Sequence, residues 1–593
     1  MLDPKDSVAF TDILRPPPGF VLDAAVGTTF SLDFEAFTAV LLAFVGAELD
    51  DDKPDAASVL TAVARLRRRL CVFVNAGGFA PPRKPSPLLA LYGRVVRSVA
   101  IKDAAFHPKV WALKFVPLSK PEMRRSQPIY RVVCASRNVT DSGCWELGAR
   151  FDGAIGKGDG FGDEVAGFFR HLAKAHRPPA AVWRMLSELS GVAFERSAES
   201  DGSLRFLWQW PGRSGLAAHL PKAASRALFI SPFLRSDLVV HVCSTVRDLT
   251  LVSTRAELDA LPDAAHARLA EATIYVVTGL GSDDVPALDL HAKLLAWEAG
   301  DIRETLVGSA NATGSGWGLS HRTNCEAIVA LRPGLRIDQI LRAFVSPEPH
   351  RLYPWIDVYK RQPLELDDAE KAQKHLDRLQ RALAGMRITG SHDAKKEVLT
   401  LRALDPPPDL LTNRATSVKA EIVPLLRSVV DSAWAPLDLL FGQGAQFSVG
   451  LAELCEFAII WLRDASHDCN CRFGLQFRLP LRPEDEEARD QAVHAQLLEG
   501  LDPRMLLLNV LQGLPAGSKR AGGGHGTPRS PGLPSVLKQA TVERVLDACT
   551  ADPSRIEEID ALLSACRGAP EMASFLEFWA AFRAVVEEET RRA

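Results

Sequence analysis

Residues 291–311 read HAKLLAWEAGDIRETLVGSAN. A histidine and a lysine two apart lead into one apolar run, and a second apolar run closes on Ser309 and Asn311. Residues two apart on extended chain project to the same side. His291 and Lys293 therefore form a pair that Asn311, at the end of the neighbouring strand, can join. One such cluster says little, because a solvated histidine beside a lysine is the ordinary condition. Its weight comes from a second copy upstream. FHPKVWALKF (106–115), IYRVVCASRN (129–138) and RFDGAI (150–155) follow the order of LHAKLLAWEA (290–299), ETLVGSAN (304–311) and NCEAIVAL (324–331). His107 matches His291, Lys109 matches Lys293, Ser136 matches Ser309 and Asn138 matches Asn311. Trp145 and Trp317 follow the asparagines as core aromatics, and Asp152 then matches Glu326. His107 and Asn138 are 31 residues apart, against 20 for His291 and Asn311; the segment VPLSKPEMRRSQP (116–128), read as an elongated hairpin turn, takes up the excess.

Two such sets meeting between pseudo-symmetric halves form a cleft, a common place for a ligand. Two imidazoles, two ammonium groups and two amides suit a phosphodiester. Lysines place charge on non-bridging oxygens, and the asparagines add donors toward developing charge. One histidine attacks phosphorus while the other protonates the leaving oxygen. A carboxylate behind each imidazole fixes its tautomer, with Asp152 and Glu326 as the candidates. Ser136 and Ser309 are candidate phosphate contacts, and Lys120, Arg124 and Arg125, in the loop after the first motif, are candidate polyanion contacts. No metal and no cofactor is called for.

The remaining sequence frames this repeat. The 593 residues are 47% hydrophobic and 24% charged with a formal net charge of −3, so a polyanion surface has to be a local patch. Ten cysteines without a regular framework read as reduced thiols. The start, MLDPKDSVAFTDILRPPPGF, has no secretory pattern, and apolar stretches such as AFTAVLLAFVGAEL (36–49) are too short to span a bilayer. These features point to a cytoplasmic protein without a membrane partner.

Near residue 20 the pattern is a strand, a Gly-Thr-Thr turn and a helix starting at Asp33. DAASVLTAVARLRRRL then reads as a helix and LCVFVNAGG as a strand. From about 204 the alternation restarts with RALFISPFL (226–234), DLTLVSTRAELDAL and ATIYVVTGLG. The pattern favours an α/β layer fold in three parts: 1–190, 191–349 and a mainly helical 350–593 with some strand at CRFGLQFRLPL. GSKRAGGGHGTPRSPG (517–532) reads as a loop. The cluster SHDCNCRF (466–473) lacks the second ligand pair a zinc site needs, and RLRRRL (65–70) reads as a solvated helix face.

The two HxK…N copies, over roughly residues 20–345, resemble the paired signatures of the phospholipase D superfamily. That resemblance implies a pseudo-twofold duplicated α/β fold, two mixed sheets flanked by helices, with one active site between the halves. It also implies metal-independent phosphodiester chemistry through a phosphohistidine, with His107 as nucleophile and His291 as general acid by analogy with the family, or the two exchanged, a choice the sequence does not settle. The family's longer signature HxKxxxxD is not kept: Lys114 and Glu298 stand at the aspartate positions. The tyrosyl-DNA phosphodiesterase branch also lacks that aspartate, and SANATGSGW is similar to its Ser-Ala-Asn plus tryptophan segment. The expectation is a nuclease or DNA-end-processing enzyme, as in bacterial antiviral defence, with protein partners at the C-terminal region. The rival readings are a phospholipase D-type lipid hydrolase and a non-catalytic nucleic-acid-binding module.

Overall fold

The computed structural model describes residues 8–46, 56–118, 123, 126–195, 202–213, 215–278, 289–345, 352, 355–362, 368–412, 418–430, 433–497, 499, 545, 549, 555–565 and 573–592. The protein is mixed α/β, with several sheets and helices packed on them. A seven-stranded sheet has the spatial order Val192–Phe194, Gly148–Ile155, Ile129–Ala135, Val110–Pro117, Phe20–Thr29, Leu70–Asn75 and Val96–Val99. An eight-stranded sheet runs Ser203–Gln209, Glu326–Arg332, Ile302–Gly308, Leu294–Ala299, Ala224–Ile230, Val246–Ser253, Thr273–Val277 and Ile356–Val358.

Six strands of the second sheet, Glu326–Arg332 to Thr273–Val277, repeat the order of Gly148–Ile155 to Val96–Val99 in the first; the outer strands differ, because Val192–Phe194 comes last in its half and Ser203–Gln209 first in its own. The sense also agrees. In the first sheet Phe20–Thr29 pairs parallel with Leu70–Asn75 and antiparallel with Val110–Pro117. In the second, Ala224–Ile230 pairs parallel with Val246–Ser253 and antiparallel with Leu294–Ala299. The strand Val192–Phe194 lies past the expected limit at residue 190 yet closes one edge of the first sheet, and Ile356–Val358, past 350, closes an edge of the second.

Local chemistry explains the elements that carry the motifs. Gly27, Thr28 and Thr29 continue the first strand instead of forming the expected turn; the chain turns afterwards at Phe30 and Ser31. Gly27 faces Trp111 across the ladder, and a Cβ there would stand 2.5 Å from the indole ring, so only glycine fits beside that buried side chain. Asp33 caps the helix Phe34–Phe44, its carboxylate accepting from the Glu35 N–H at 2.9 Å. The helix is apolar nearly all round and is buried accordingly.

The expectation of a mainly helical region after 350 is corrected between Ile388 and Gln476. Helices do form at Asp368–Ala384, Pro483–Leu497, Arg555–Ala565 and Ala573–Arg592. Between the first two lies β structure: a three-stranded sheet of Ile388–Asp393, Val398–Ala403 and Ala445–Ser448, and a six-stranded sheet. The latter takes Leu32–Asp33 and Phe79–Ala80 from the N-terminal part beside Cys469–Gln476, Phe457–Asp464, Val418–Pro424 and Ala435–Pro436. One apolar core accordingly holds Phe34, Phe79 and Tyr92 together with Phe457, Ile459 and Leu562. Arg65, in the run expected to be a solvated face, is buried and ion-paired with Glu558 at 3.0 Å. The loop 517–532 lies outside the described residues.

Candidate active site

Each HxK segment lies just before a central strand: His107 and Lys109 before Val110–Pro117, His291 and Lys293 before Leu294–Ala299. What fixes them comes from the opposite half. The His107 N–H donates to Cys325 O at 2.9 Å, and the His291 N–H donates to Trp145 O at 2.9 Å. Phe106 bridges Cys325 in parallel, as Leu290 pairs in parallel with Trp145. The residue after each of these acceptors is a glutamate. Glu326 accepts from His107 Nδ1 at 2.9 Å, and Glu146 accepts from His291 Nδ1 at 2.7 Å. The carboxylate–imidazole pairs are thus exchanged between halves, and Nε2 is the ring atom each histidine has left for chemistry.

Glu146 replaces Asp152 in this role. Asp152 lies elsewhere on the first sheet, bonded by Arg131 at 2.7 and 2.9 Å and by Arg150 at 2.8 Å. Burial opposes its ionisation, but the two guanidinium groups outweigh burial and hold its carboxyl below the ordinary range. Arg131 in turn donates to Ile13 O and Arg15 O, so Asp152 belongs to a structural clasp on the N-terminal segment.

The serines are also corrected. Ser136 and Ser309 are both fully buried. The Leu147 N–H donates to Ser136 Oγ at 3.0 Å, and the Ala327 N–H donates to Ser309 Oγ at 3.0 Å. Ser309 Oγ also donates to Glu326 at 2.5 Å. Each serine therefore pins the residue after a histidine-bonded glutamate and has no free face for phosphate. Lys120, Arg124 and Arg125 lie outside the described residues.

Lys109 and Lys293 are buried, and each ammonium donates to the carbonyl of its own motif histidine, at 2.9 and 2.6 Å. Burial pushes Lys109 down to about 8 against the pull of Glu326 and Glu146; burial and the neighbouring Lys109 push Lys293 well below its ordinary value. His107 is 9% exposed, and burial lowers it to about 4 although Glu326 raises it. His291 is lowered too, by burial first. Lys293 acts on His107 and Lys109 acts on His291, so the two motifs share one electrostatic site.

Sequence reasoning missed a second pair of supports. Thr29 Oγ1 accepts from the Val139 N–H at 3.1 Å and donates to Ser31 O at 2.7 Å. Ser231 Oγ accepts from the Ala312 N–H at 2.9 Å and donates to Phe233 O at 2.8 Å. Each hydroxyl thereby holds the residue after a motif asparagine. The correspondence sets Phe30 against Pro232 and Ser31 against Phe233. Asn138 Oδ1 accepts from the Phe30 N–H at 3.3 Å and the Ser31 N–H at 3.5 Å, which orients the amide by its oxygen. Asn311 Oδ1 is buried and, among the described residues, has no hydrogen-bond partner. Proline has no N–H to give, so Pro232 removes the donor that Phe30 supplies in the first half.

Phe30 walls the first half, its ring 5.0 Å from that of His107. Arg137, inside the first Ser-x-Asn, reaches Glu146 at 3.3 Å; the second copy has Ala310 there. Trp145 and Trp317 are buried, as read from the sequence. His467, Cys469 and Cys471 turn to separate partners, Asp464, Ala369 O and Gln380.

No family model matches the chain, and no curated protein matches it.

Proposed function

We propose that the chain is a phosphodiesterase of the phospholipase D type that cleaves nucleic acid, DNA above all, through a phosphohistidine. The observation that carries this reading is the exchange of carboxylates, His107 on Glu326 and His291 on Glu146, which equips two imidazoles alike at one site. The matching order of six strands in each sheet supports a pseudo-twofold duplicated fold.

The reaction follows from these groups. His107, neutral above about pH 4, uses its Nε2 lone pair to form a P–N bond. The bond from phosphorus to the leaving oxygen breaks, and that oxygen takes the proton of His291 Nε2. The imidazole ring becomes cationic as it is phosphorylated, and Glu326 stabilises that charge through Nδ1–H. His291 then takes a proton from water, the hydroxide attacks phosphorus, and the P–N bond pair returns to His107. Lys109, Lys293 and the Asn138 and Asn311 amides face the non-bridging oxygens.

The choice of nucleic acid over phospholipid rests on the departure from HxKxxxxD. Both departing residues serve the fold: Lys114 pairs with Asp23 and Glu188, and Glu298 accepts from the Ile337 N–H. No helix among the described residues is long and apolar enough to cross a membrane.

The test is to incubate the protein with end-labelled DNA, RNA and phosphatidylcholine vesicles in chelator, quench, and map acid-labile phosphate. Label on the peptide containing His107, lost in His107→Ala, is the expected result. Activity that vanishes in chelator and returns only with added metal would overturn the histidine mechanism.

A further inference from the structure

The segment RFLWQWPGR (205–213) is not used by the chemistry above. Its strand, Ser203–Gln209, pairs antiparallel with Glu326–Arg332, and Gln209 stands opposite Glu326. Trp208 and Trp210, two apart, project to one side, so Trp210 sits one residue past the level of the carboxylate that holds His107. Across from them is the end of the helix Phe161–Ala173, which belongs to the other half.

The His171 ring lies 5.3 Å from Trp208 and 4.8 Å from Trp210. The Arg213 guanidinium lies 3.8 Å over Trp208. Trp210 continues to Phe106, the residue before His107, at 6.5 Å. A line of planar groups therefore runs from Arg213 to the shoulder of the candidate nucleophile.

Trp208 and Trp210 are half-buried against the apolar core that holds Phe106, and two features distinguish the part of this line that reaches solvent. Trp210 meets both aromatic neighbours edge-on, at 65° and 63°, and among the described residues no ring or guanidinium lies flat on it. The charge is also one-sided. Lys174 and Arg213 are exposed, both act on His171 with like sign, and among the described residues neither is ion-paired with a carboxylate. Arg205 on the same strand, by contrast, is paired with Glu164. Uncompensated cations beside an aromatic face that lacks a stacked partner are what a polyanion with planar bases requires.

We propose that His171, Lys174, Trp208, Trp210 and Arg213 form a track that holds single-stranded nucleic acid and leads it to His107. The proposal rests on the phosphodiesterase reading and narrows its substrate. Bases stack on Trp210 while Lys174 and Arg213 take phosphates. Single strands are selected because paired bases hide their faces from such a platform.

The test uses the full chain, a fluorescein-labelled oligothymidylate, the corresponding duplex, and bis(p-nitrophenyl) phosphate as a reporter too small to reach the track. The variants are the exposed double charge reversal Lys174→Glu/Arg213→Glu, and Trp210→Leu. Anisotropy titrations across salt should show the double variant binding the single strand about tenfold or more weakly, with its salt slope flattened by about 1.4, two phosphate contacts at about 0.7 each. Trp210→Leu should bind it about tenfold more weakly with the slope unchanged. The double variant should hydrolyse the small diester at the wild-type rate. Unchanged oligothymidylate affinity and slope in the double variant would overturn the track, and an equal loss for duplex would overturn the single-strand selection. Wild-type protein that binds the oligonucleotide through these residues but never turns over the small diester would leave the track standing and sink the phosphodiesterase reading.

Discussion

Replacing Glu326 with glutamine is the sharpest test of the exchanged pairing. The carboxylate is fully buried and accepts from His107 Nδ1 at 2.9 Å, Ser309 Oγ at 2.5 Å and Asn324 Nδ2 at 3.2 Å. Glutamine keeps the shape and removes the charge. The cationic phosphoimidazole then loses a charge-assisted hydrogen bond worth about 1.5–3 kcal/mol. At 1.36 kcal/mol per decade, kcat should fall about 10- to 150-fold, with KM little changed because the bond strengthens only as charge develops. Asp152→Asn is the matched control. It breaks the clasp on Arg131, so it should lower the melting temperature and leave kcat within about twofold of wild type. Steady-state kinetics on a small diester and thermal melts of both variants provide the comparison. Full kcat in Glu326→Gln, with loss of kcat in a folded Asp152→Asn, would refute the assignment.

Four further outcomes follow from the same geometry. With His107 required neutral and lowered to about 4, and His291 required protonated and held below 6.5, kcat/KM should rise through about pH 4 and fall before 6.5; an optimum above pH 7 would contradict these roles. The same depressed His107 contributes stability that is complete above the unfolded value of 6.5 and is lost as pH falls through about 4, which melts across that range will register. Gly27→Ala drives a Cβ into the Trp111 ring and should cost about 2–3 kcal/mol in denaturant unfolding, and a neutral result would mean the indole has room to move. Pro232→Ala restores an N–H facing Asn311 Oδ1, so the gain of about 1–3 kcal/mol from a satisfied buried acceptor should exceed the loss of about 0.4–1 kcal/mol of chain stiffening, and a lowered melting temperature would argue against it.

The twin motifs and the order of their strands were readable because apolar runs and polar residues recur in one sequence order. The identity of the first carboxylate was not. Asn138 to Asp152 spans 14 residues and Asn311 to Glu326 spans 15, so spacing favours Asp152, whereas Glu146 follows its asparagine by only eight. Trp145 precedes Glu146 as Cys325 precedes Glu326, and each offers its carbonyl to the opposite histidine. That pairing is tertiary, and no local periodicity encodes it. The β layer after residue 388 was missed for a related reason. FAIIWL (457–462) is a continuous apolar run, which reads equally as a buried strand or helix, and its sheet is completed by short strands nearly 400 residues away. Serines 136 and 309 were placed correctly in the pattern, but burial gave them a different task.

The exchange of carboxylates also bears on how damage in this chain can be repaired. A lesson drawn from oligomers is that two differently disabled copies sometimes rescue each other by sharing a site. Here both contributors are joined in one polypeptide, so genetic bookkeeping inverts: a lesion at Glu146 is felt at His291, about 145 positions downstream, and one at Glu326 is felt at His107, about 219 positions upstream. The two halves are therefore coupled twice over, through the exchanged carboxylates and through the apolar core that Phe34 and Phe79 share with Phe457 and Leu562, so a lesion in either half reaches residues of the other.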